Sequence, residues 1–143
     1  MEACNLIAWF ATIGPARLRD PKRALDLSRE AVQLAEDRSP DSLVYVENTL
    51  GWCLYRVQQY EQAIVLLERN LKRSDNSSPV YDWLCLVACY HHTGQADRCQ
   101  EAWQQAFATL PSSDAQEYLL LQTLFQEIGK ELARPVAAEV TAP

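Results

Sequence analysis

The stretch that decides the fold runs from Asn48 to Leu71 and reads NTLGWCLYRVQQYEQAIVLLERNL. Its apolar residues recur at three- and four-residue steps, the period of an amphipathic α-helix. The stretch therefore predicts two helices joined by a tight turn at Gln58-Gln59. Gly51 and Ala63, one in each helix, are small and let the two backbones approach closely. The apolar face of the first helix contains Leu50, Gly51 and Leu54, and that of the second contains Tyr60, Ala63, Leu67 and Leu71.

The helix pair is repeated along the chain. Such a pair buries only one of its sides, so it needs neighbouring pairs of its own kind. Asn5-Leu6-Ile7-Ala8-Trp9 has the same pattern as Asn48-Thr49-Leu50-Gly51-Trp52: an asparagine, a large aliphatic residue two positions on, a small residue and a tryptophan. A third copy has steps of 3, 1, 3, 4, 5, 4, 3 and 5 residues through Trp83, Leu86, Val87, Tyr90, Gly94, Cys99, Trp103, Ala106 and Pro111.

This spacing is similar to that of the tetratricopeptide repeat, a helical hairpin of about 34 residues. The chain resembles the tetratricopeptide family in three repeats, at about 3–37, 41–73 and 79–111. The resemblance implies an all-α, right-handed superhelix of three helix pairs, with a C-terminal capping helix at 113–133 that covers the last repeat. The domain would then span 1–133. The middle copy matches the family through its two apolar faces, and the first copy matches it through Ile7, Ala8, Ala24 and Ala31.

The first copy is longer than the consensus, with extra residues at Gly14–Pro21 and at Glu36–Asp41. Its longer turn and the Arg-Asp-Pro-Lys-Arg-Ala opening of the next helix resemble a bacterial subset of the family. In that subset, short tetratricopeptide modules are appended to larger signalling proteins, notably serine/threonine protein kinases. The resemblance implies that this chain is an interaction or regulatory segment of such an enzyme.

Caps and breakers set the expected helix ends. Asp20 is expected to cap the second helix with Pro21 at its first position, and Ser39-Pro40-Asp41 to start the third by similar chemistry. Ser113 and Gln116 form a predicted capping box before the last helix. Residues 134–143 contain two prolines and no hydrophobic period, which predicts a disordered tail. The predicted helices span 2–13, 21–36, 41–57, 60–73, 80–92, 96–109 and 114–133.

Composition restricts the class of partner and the compartment. The 143 residues suit one domain, and their 48% hydrophobic content is ordinary for a globular protein. A net charge of −6 argues against a nucleic-acid or anionic-membrane surface. We find neither a secretory signal nor a run of about 18 apolar residues that would predict a membrane span. Five cysteines, an odd number on apolar helical faces, predict reduced thiols in a cytoplasmic protein.

The family resemblance also implies a binding surface, because the first helix of each tetratricopeptide pair lines a concave groove. Asparagine amides in such a groove pair with an extended peptide backbone, and tryptophan and tyrosine supply flat contact area. The alternative is that Trp9 and Trp52 pack between helices while the asparagines bond locally. The implied groove residues are Asn5, Trp9, Thr12, Tyr45, Asn48, Trp52, Tyr55, Arg56, Tyr81, Leu84, Ala88, His91 and His92.

Three more specific binding hypotheses concern particular residues. The carboxylate-clamp members of the family bind a C-terminal carboxylate through several basic side chains, whereas Arg56 is the only fixed cation in the implied groove. A pH-dependent groove through His91 and His92 is a further alternative. Cys85, Cys89, His92 and Cys99 have a spacing compatible with zinc, but the sequence lacks paired Cys-x-x-Cys knuckles, and Cys99 occupies a packing position.

The sequence contains no signature of catalysis. It has no phosphate-binding glycine-rich loop, no His-Glu-x-x-His and no Gly-x-Ser-x-Gly. We therefore expect no enzymatic activity, no cofactor and no metal. The expected partner is a protein or a peptide held in the groove, with neither nucleic acid nor membrane as a partner. Self-association through the convex face or the last helix is the remaining alternative.

Overall fold

The described residues of the computed structural model, 1–111 and 115–133 with the side chains of 115–118 left aside, form an all-α fold. They contain no β-strand. None of the helices in this part of the chain combines the length and the hydrophobicity that crossing a membrane requires. The seven α-helices of the described residues are α1 (Glu2–Ile13), α2 (Pro21–Arg38), α3 (Leu43–Arg56), α4 (Tyr60–Leu71), α5 (Pro79–His92), α6 (Ala96–Ala108) and α7 (Ala115–Leu132).

Helix starts follow local chemistry, with one difference from expectation. Asp20 caps α2 as predicted, because its side chain accepts a hydrogen bond from the Arg23 backbone N–H at 3.2 Å. The expected start of α3 at Ser39-Pro40-Asp41 is wrong. Those residues enter a 3-10 turn, Pro40–Ser42, in which the Ser42 N–H donates to the Ser39 carbonyl at 2.9 Å, and α3 begins at Leu43. The capping box at Ser113 and the tail at 134–143 lie outside the described residues.

The helices form three consecutive hairpins, α1–α2, α3–α4 and α5–α6. Each helix packs against the next, and the first helices of the hairpins also pack against one another, α1 on α3 and α3 on α5. A large apolar core runs through all three hairpins, and a smaller cluster of Ala31, Ala35 and Val46 lies between α2 and α3. Gly51 of α3 packs directly against the fully buried Leu67 of α4, as its small size predicts, and Ala63 of α4 is also fully buried.

Two hairpin turns each contain one residue in the left-handed backbone conformation. Gly94, between α5 and α6, has a φ of 71°, and Gln58, between α3 and α4, has a φ of 63°. This backbone conformation suits glycine, because a side chain there crowds the following peptide group. Gln58 therefore occupies, at some cost in strain, the place that a glycine fills in the next hairpin.

The last helix, α7, packs on α5 rather than continuing the row outward. Leu121, Leu124 and Ile128 of α7 are buried. Phe125 and Leu132 are partly buried against the same core.

Candidate functional site

A pocket of about 590 Å³ opens where the first halves of α1, α3 and α5 meet. This is within the size range of ligand-binding sites in proteins. Most of its wall comes from the first two turns of each helix, and the rest comes from the loop that leads into α5. The lining residues are Glu2, Ala3, Asn5, Leu6, Trp9, Val44, Tyr45, Asn48, Thr49, Asn76, Ser78 and Tyr81.

Aromatic side chains from all three hairpins form the wall of this pocket. The Trp9 ring meets the Tyr81 ring edge to face, with centroids 5.5 Å apart. Tyr45 is 51% exposed, and its hydroxyl is within 2.9 Å of the Ser77 Oγ atom. Tyrosine and tryptophan with part of the ring open to solvent are typical of protein-binding surfaces.

Asn5 and Asn48, the two asparagines at matching repeat positions, both line the pocket. Asn5 Oδ1 is buried and has no hydrogen-bond partner, which is uncommon for a buried polar atom. Asn48 instead donates from Nδ2 to Asp82 Oδ1 at 2.7 Å. Asn48 therefore has the local bond that the packing alternative expected, while Asn5 retains an unused acceptor.

Behind the pocket wall lies Asp82, a carboxylate that is 1% exposed. Besides Asn48, it accepts hydrogen bonds from Asn76 Nδ2 at 2.6 Å and from Asn70 Nδ2 at 3.2 Å. Burial raises the pKa of Asp82 to about 6, and the three amide donors offset only part of that increase. The network joins α3, α4 and α5, so it fixes the pocket wall on two of its sides.

Five of the implied groove residues are not on an open surface. Trp52 is fully buried, and its Nε1 donates to the Tyr81 carbonyl at 3.1 Å. Leu84 is fully buried and Tyr55 is 5% exposed. The expectation that these side chains line an accessible groove is therefore corrected. Trp52 follows the packing alternative because hairpins lie on both sides of it. Thr12 and Ala88, at further implied positions, are also fully buried.

The far end of the implied groove is covered by α7. Glu127 of α7 forms ion pairs with Arg19 at 2.7 Å and with Arg56 at 2.7 Å. Glu131 accepts a hydrogen bond from the Tyr55 hydroxyl and contacts His92 Nε2. These contacts join the polar side of α7 to α3, to α5 and to the turn after α1.

The two ion pairs of Glu127 change the pKa of its carboxylate. Burial acts to raise the pKa of Glu127, but hydrogen bonds and charge from Arg19 and Arg56 outweigh it and lower that pKa to about 2. Arg56 also donates from Nε to the Thr12 carbonyl at 3.2 Å. The one fixed cation of the implied groove is therefore already paired within the chain.

The two histidines lie away from the pocket. The His92 ring stacks on Tyr60, with centroids 4.6 Å apart and an interplanar angle of 5°. His91 lines a different depression, near the turn between α5 and α6. Neither histidine contributes to the pocket at the other end of α5.

The cysteines are arranged for packing. Cys85 and Cys89 are fully buried, and the Cys99 thiol donates to the Val87 carbonyl at 3.4 Å. Burial raises the pKa of the Cys85 thiol well above its usual value. Among the residues that the structure describes, no three His, Cys, Asp or Glu side chains are grouped so that they could hold a metal ion.

Sequence reasoning missed Asp82, together with the Asn70 and Asn76 amides that bind it. A signal for Asp82 was present, because it is the only charged residue between Pro79 and Tyr90, in a helix that is otherwise largely apolar. Glu47 is likewise the only acidic residue of α3, and it too is buried, paired with Arg69. A lone acid in an apolar helix indicates a buried polar network.

The coordinates thus define an all-α protein built from consecutive helical hairpins, with an aromatic and amide-lined pocket across their first helices. No protein-family model, curated protein or solved structure matches the chain.

Proposed function

We propose that this chain is a stack of tetratricopeptide-like hairpins that acts as a non-catalytic protein-interaction module. Its ligand is a short extended segment of another polypeptide, bound in the pocket between α1, α3 and α5. The contacts between the first helices of successive hairpins support the repeat architecture. The match between the repeat pattern and the three observed hairpins supports it as well.

The observation that carries the binding proposal is the unused hydrogen-bonding capacity of Asn5 in an aromatic pocket. A buried amide oxygen without a partner is costly, on the order of 1–3 kcal/mol, and a ligand donor would remove that cost. A backbone N–H of an extended peptide is such a donor, and Tyr45 and Trp9 offer flat surface for its side chains.

The chemistry of the lining favours binding over catalysis. The pocket wall includes no cysteine, histidine or lysine. Its one carboxylate, Glu2, is an exposed side chain in the first turn of α1. General acid–base or nucleophilic catalysis needs an activated group close to a partner, and the lining offers no such pair.

A peptide library tests this proposal. Peptides are selected on immobilised protein, and their Kd is measured by calorimetry on wild type, Tyr45→Ala and Asn5→Ala. We expect both variants to weaken binding at least tenfold. Val65→Ala is the matched control, because Val65 is 71% exposed on α4 and lies outside the pocket. Equal Kd values on all four proteins would reject the pocket as the binding site.

Self-association is a second candidate function, favoured by an apolar surface that shares Leu6 with the pocket. Four large apolar side chains on α1 and the turn after it are 49–66% exposed: Leu6, Ile7, Phe10 and Leu18. Apolar patches of this kind mark interaction sites. Light scattering over a concentration range tests it. Dimer formation that is abolished by Phe10→Glu and retained in Val65→Glu would support it, and a wild-type monomer at all concentrations would exclude it.

A further inference from the structure

We propose that the ligand places a basic side chain in this pocket, with arginine preferred over lysine. The inference rests on the proposed peptide-binding function and adds the chemistry of the partner. Three independent properties of the wall lead to it: its charge, its hydrogen-bond acceptors and its aromatic faces.

The charge near the pocket is negative. Among the described residues, Glu2 is the only charged residue in the lining. A second carboxylate, Asp82, lies directly behind Asn48 and Asn76, which both line the pocket and both donate to it. Within the described part of the chain, the hydrogen-bond donors of Asp82 are neutral amides, so it has no ion pair there. A cation in the pocket would therefore be attracted from the front and from behind.

The helix ends near the pocket act in the opposite direction, and they are the weaker effect. The first turns of α1, α3 and α5 border the pocket, and their partial positive charge favours anions. Glu2 and Asp82 are themselves in the first turns of α1 and α5, where each carboxylate offsets the dipole of its own helix.

One hydrogen-bonding atom of the wall is an acceptor that lacks a donor: Asn5 Oδ1 is buried without a partner. A guanidinium carries five N–H donors and no acceptor, so it complements such a wall better than a carboxylate or an amide does.

The aromatic faces favour a planar cation. Trp9, Tyr45 and Tyr81 surround the pocket, and a guanidinium stacks on such rings while it donates hydrogen bonds from its edge. The chain uses the same contact elsewhere: the Arg98 guanidinium lies 4.3 Å from the Tyr90 ring centroid, and the Arg56 guanidinium lies 5.0 Å from the Tyr55 centroid. Arginine therefore gains more than lysine from this pocket.

Citrulline, the neutral and nearly isosteric counterpart of arginine, provides the test. Peptides from a random library are selected on the wild-type chain and counter-selected on Tyr45→Ala, with circular dichroism confirming that this variant folds. Each arginine in a selected peptide is then replaced by citrulline and by lysine, and Kd is measured by calorimetry. We expect one arginine at which citrulline weakens binding at least tenfold and lysine weakens it less.

A charge variant completes the test. Glu2→Gln should weaken the arginine peptide several-fold and leave the citrulline peptide unchanged, whereas Glu36→Gln, an exposed α2 control, should change neither. Tyr45-dependent peptides without a basic residue, or with equal affinity after citrulline replacement, would overturn the inference and leave the peptide-binding function standing. If no selected peptide depended on Tyr45, both would fall.

Discussion

Gly51 of α3 lies so close to Leu67 of α4 that a Cβ atom at position 51 would come within 2.7 Å of Leu67 Cγ. Leu67 is fully buried, so it has little room to move aside. Alanine normally stabilises a helix interior by about 1 kcal/mol relative to glycine. Whether Gly51→Ala raises or lowers the free energy of unfolding therefore shows how closely α3 and α4 pack at this position.

Gly51→Ala is expected to lower the free energy of unfolding by about 1–3 kcal/mol, because overpacking a filled core outweighs the gain in helix propensity. Urea unfolding followed by circular dichroism measures the change. The double variant Gly51→Ala/Leu67→Val should recover part of the loss, since valine has one methylene group fewer at the contact. A more stable Gly51→Ala protein would show that the two helices are not in close contact.

Gln58→Gly is expected to raise the free energy of unfolding by about 0.5–1 kcal/mol, because it removes the strain of a left-handed glutamine. Gly94→Ala is the reciprocal change and should lower stability by about 1 kcal/mol. A Cβ at Gly94 would meet no atom within 4 Å, so that loss would be purely a backbone effect. Thermal and urea unfolding of the two variants check the pair, and changes of the same sign would contradict the shared turn geometry.

Glu127→Gln is expected to lower the free energy of unfolding by about 1–2 kcal/mol at pH 7, because Arg19 and Arg56 lose a carboxylate partner. The pKa of Glu127 is lowered from its ordinary 4.5 to about 2, so the folded state holds fewer protons than the unfolded state between these values. The contribution of Glu127 is therefore complete above about pH 4.5 and is lost as the pH falls to 2. The expected loss is smaller than the free energy that corresponds to the whole pKa shift of Glu127, because 27% of its side chain is exposed to solvent.

Urea unfolding at pH 7, 4.5 and 3 measures this effect, with Glu36→Gln as the exposed control. The difference between wild type and Glu127→Gln should shrink as the pH falls. A difference that stays constant over this range would mean that the ion pairs do not stabilise the fold.

The contribution of Asp82 to the free energy of unfolding should change with pH in the direction opposite to that of Glu127. Its pKa is raised from 3.8 to about 6, so the folded state binds the proton more tightly than the unfolded state does. Protonation of Asp82 therefore adds stability as the pH falls through 6 toward 4, on the order of 2 kcal/mol. Asp82→Asn cannot be protonated in this way, so its stability lacks this pH-dependent gain. The variant should also be less stable at pH 7, because its amide N–H donors would face the amide donors of Asn48 and Asn76.

The measurement for Asp82 is urea unfolding of wild type and Asp82→Asn between pH 7.5 and 5, above the range in which Glu127 titrates. The stability of wild type relative to the variant should increase as the pH falls. A relative decrease would show that the folded state favours the ionised form of Asp82.

The local parts of the fold were predictable, because helix period, small crossing residues and the Asp20 cap are encoded within a few positions of the chain. The long-range parts were not. Trp9 and Trp52 end the same sequence pattern, but Trp9 is half-buried and Trp52 is fully buried. The difference arises because the first hairpin has a neighbour on one side only, whereas the second lies between two others.

The candidate site was predictable in the same partial way. Asn5, Trp9, Tyr45, Asn48 and Tyr81 are brought together by the stacking of the first helices. The ion pairs of α7 could not be predicted, because the partners of Glu127, Arg19 and Arg56, lie far away in sequence. Asp82 and its amides were missed because a buried polar network joins residues from three helices and a loop, and no local period reveals it.

Helical repeats commonly unravel from their ends, since each unit touches only the units beside it. The bond between Arg19 and Glu127 breaks that pattern by linking the turn after α1 with the final helix of the described residues, 108 positions further along the chain. A terminal hairpin of this protein should therefore not fray on its own. Amide hydrogen exchange should therefore show similar protection in all three hairpins.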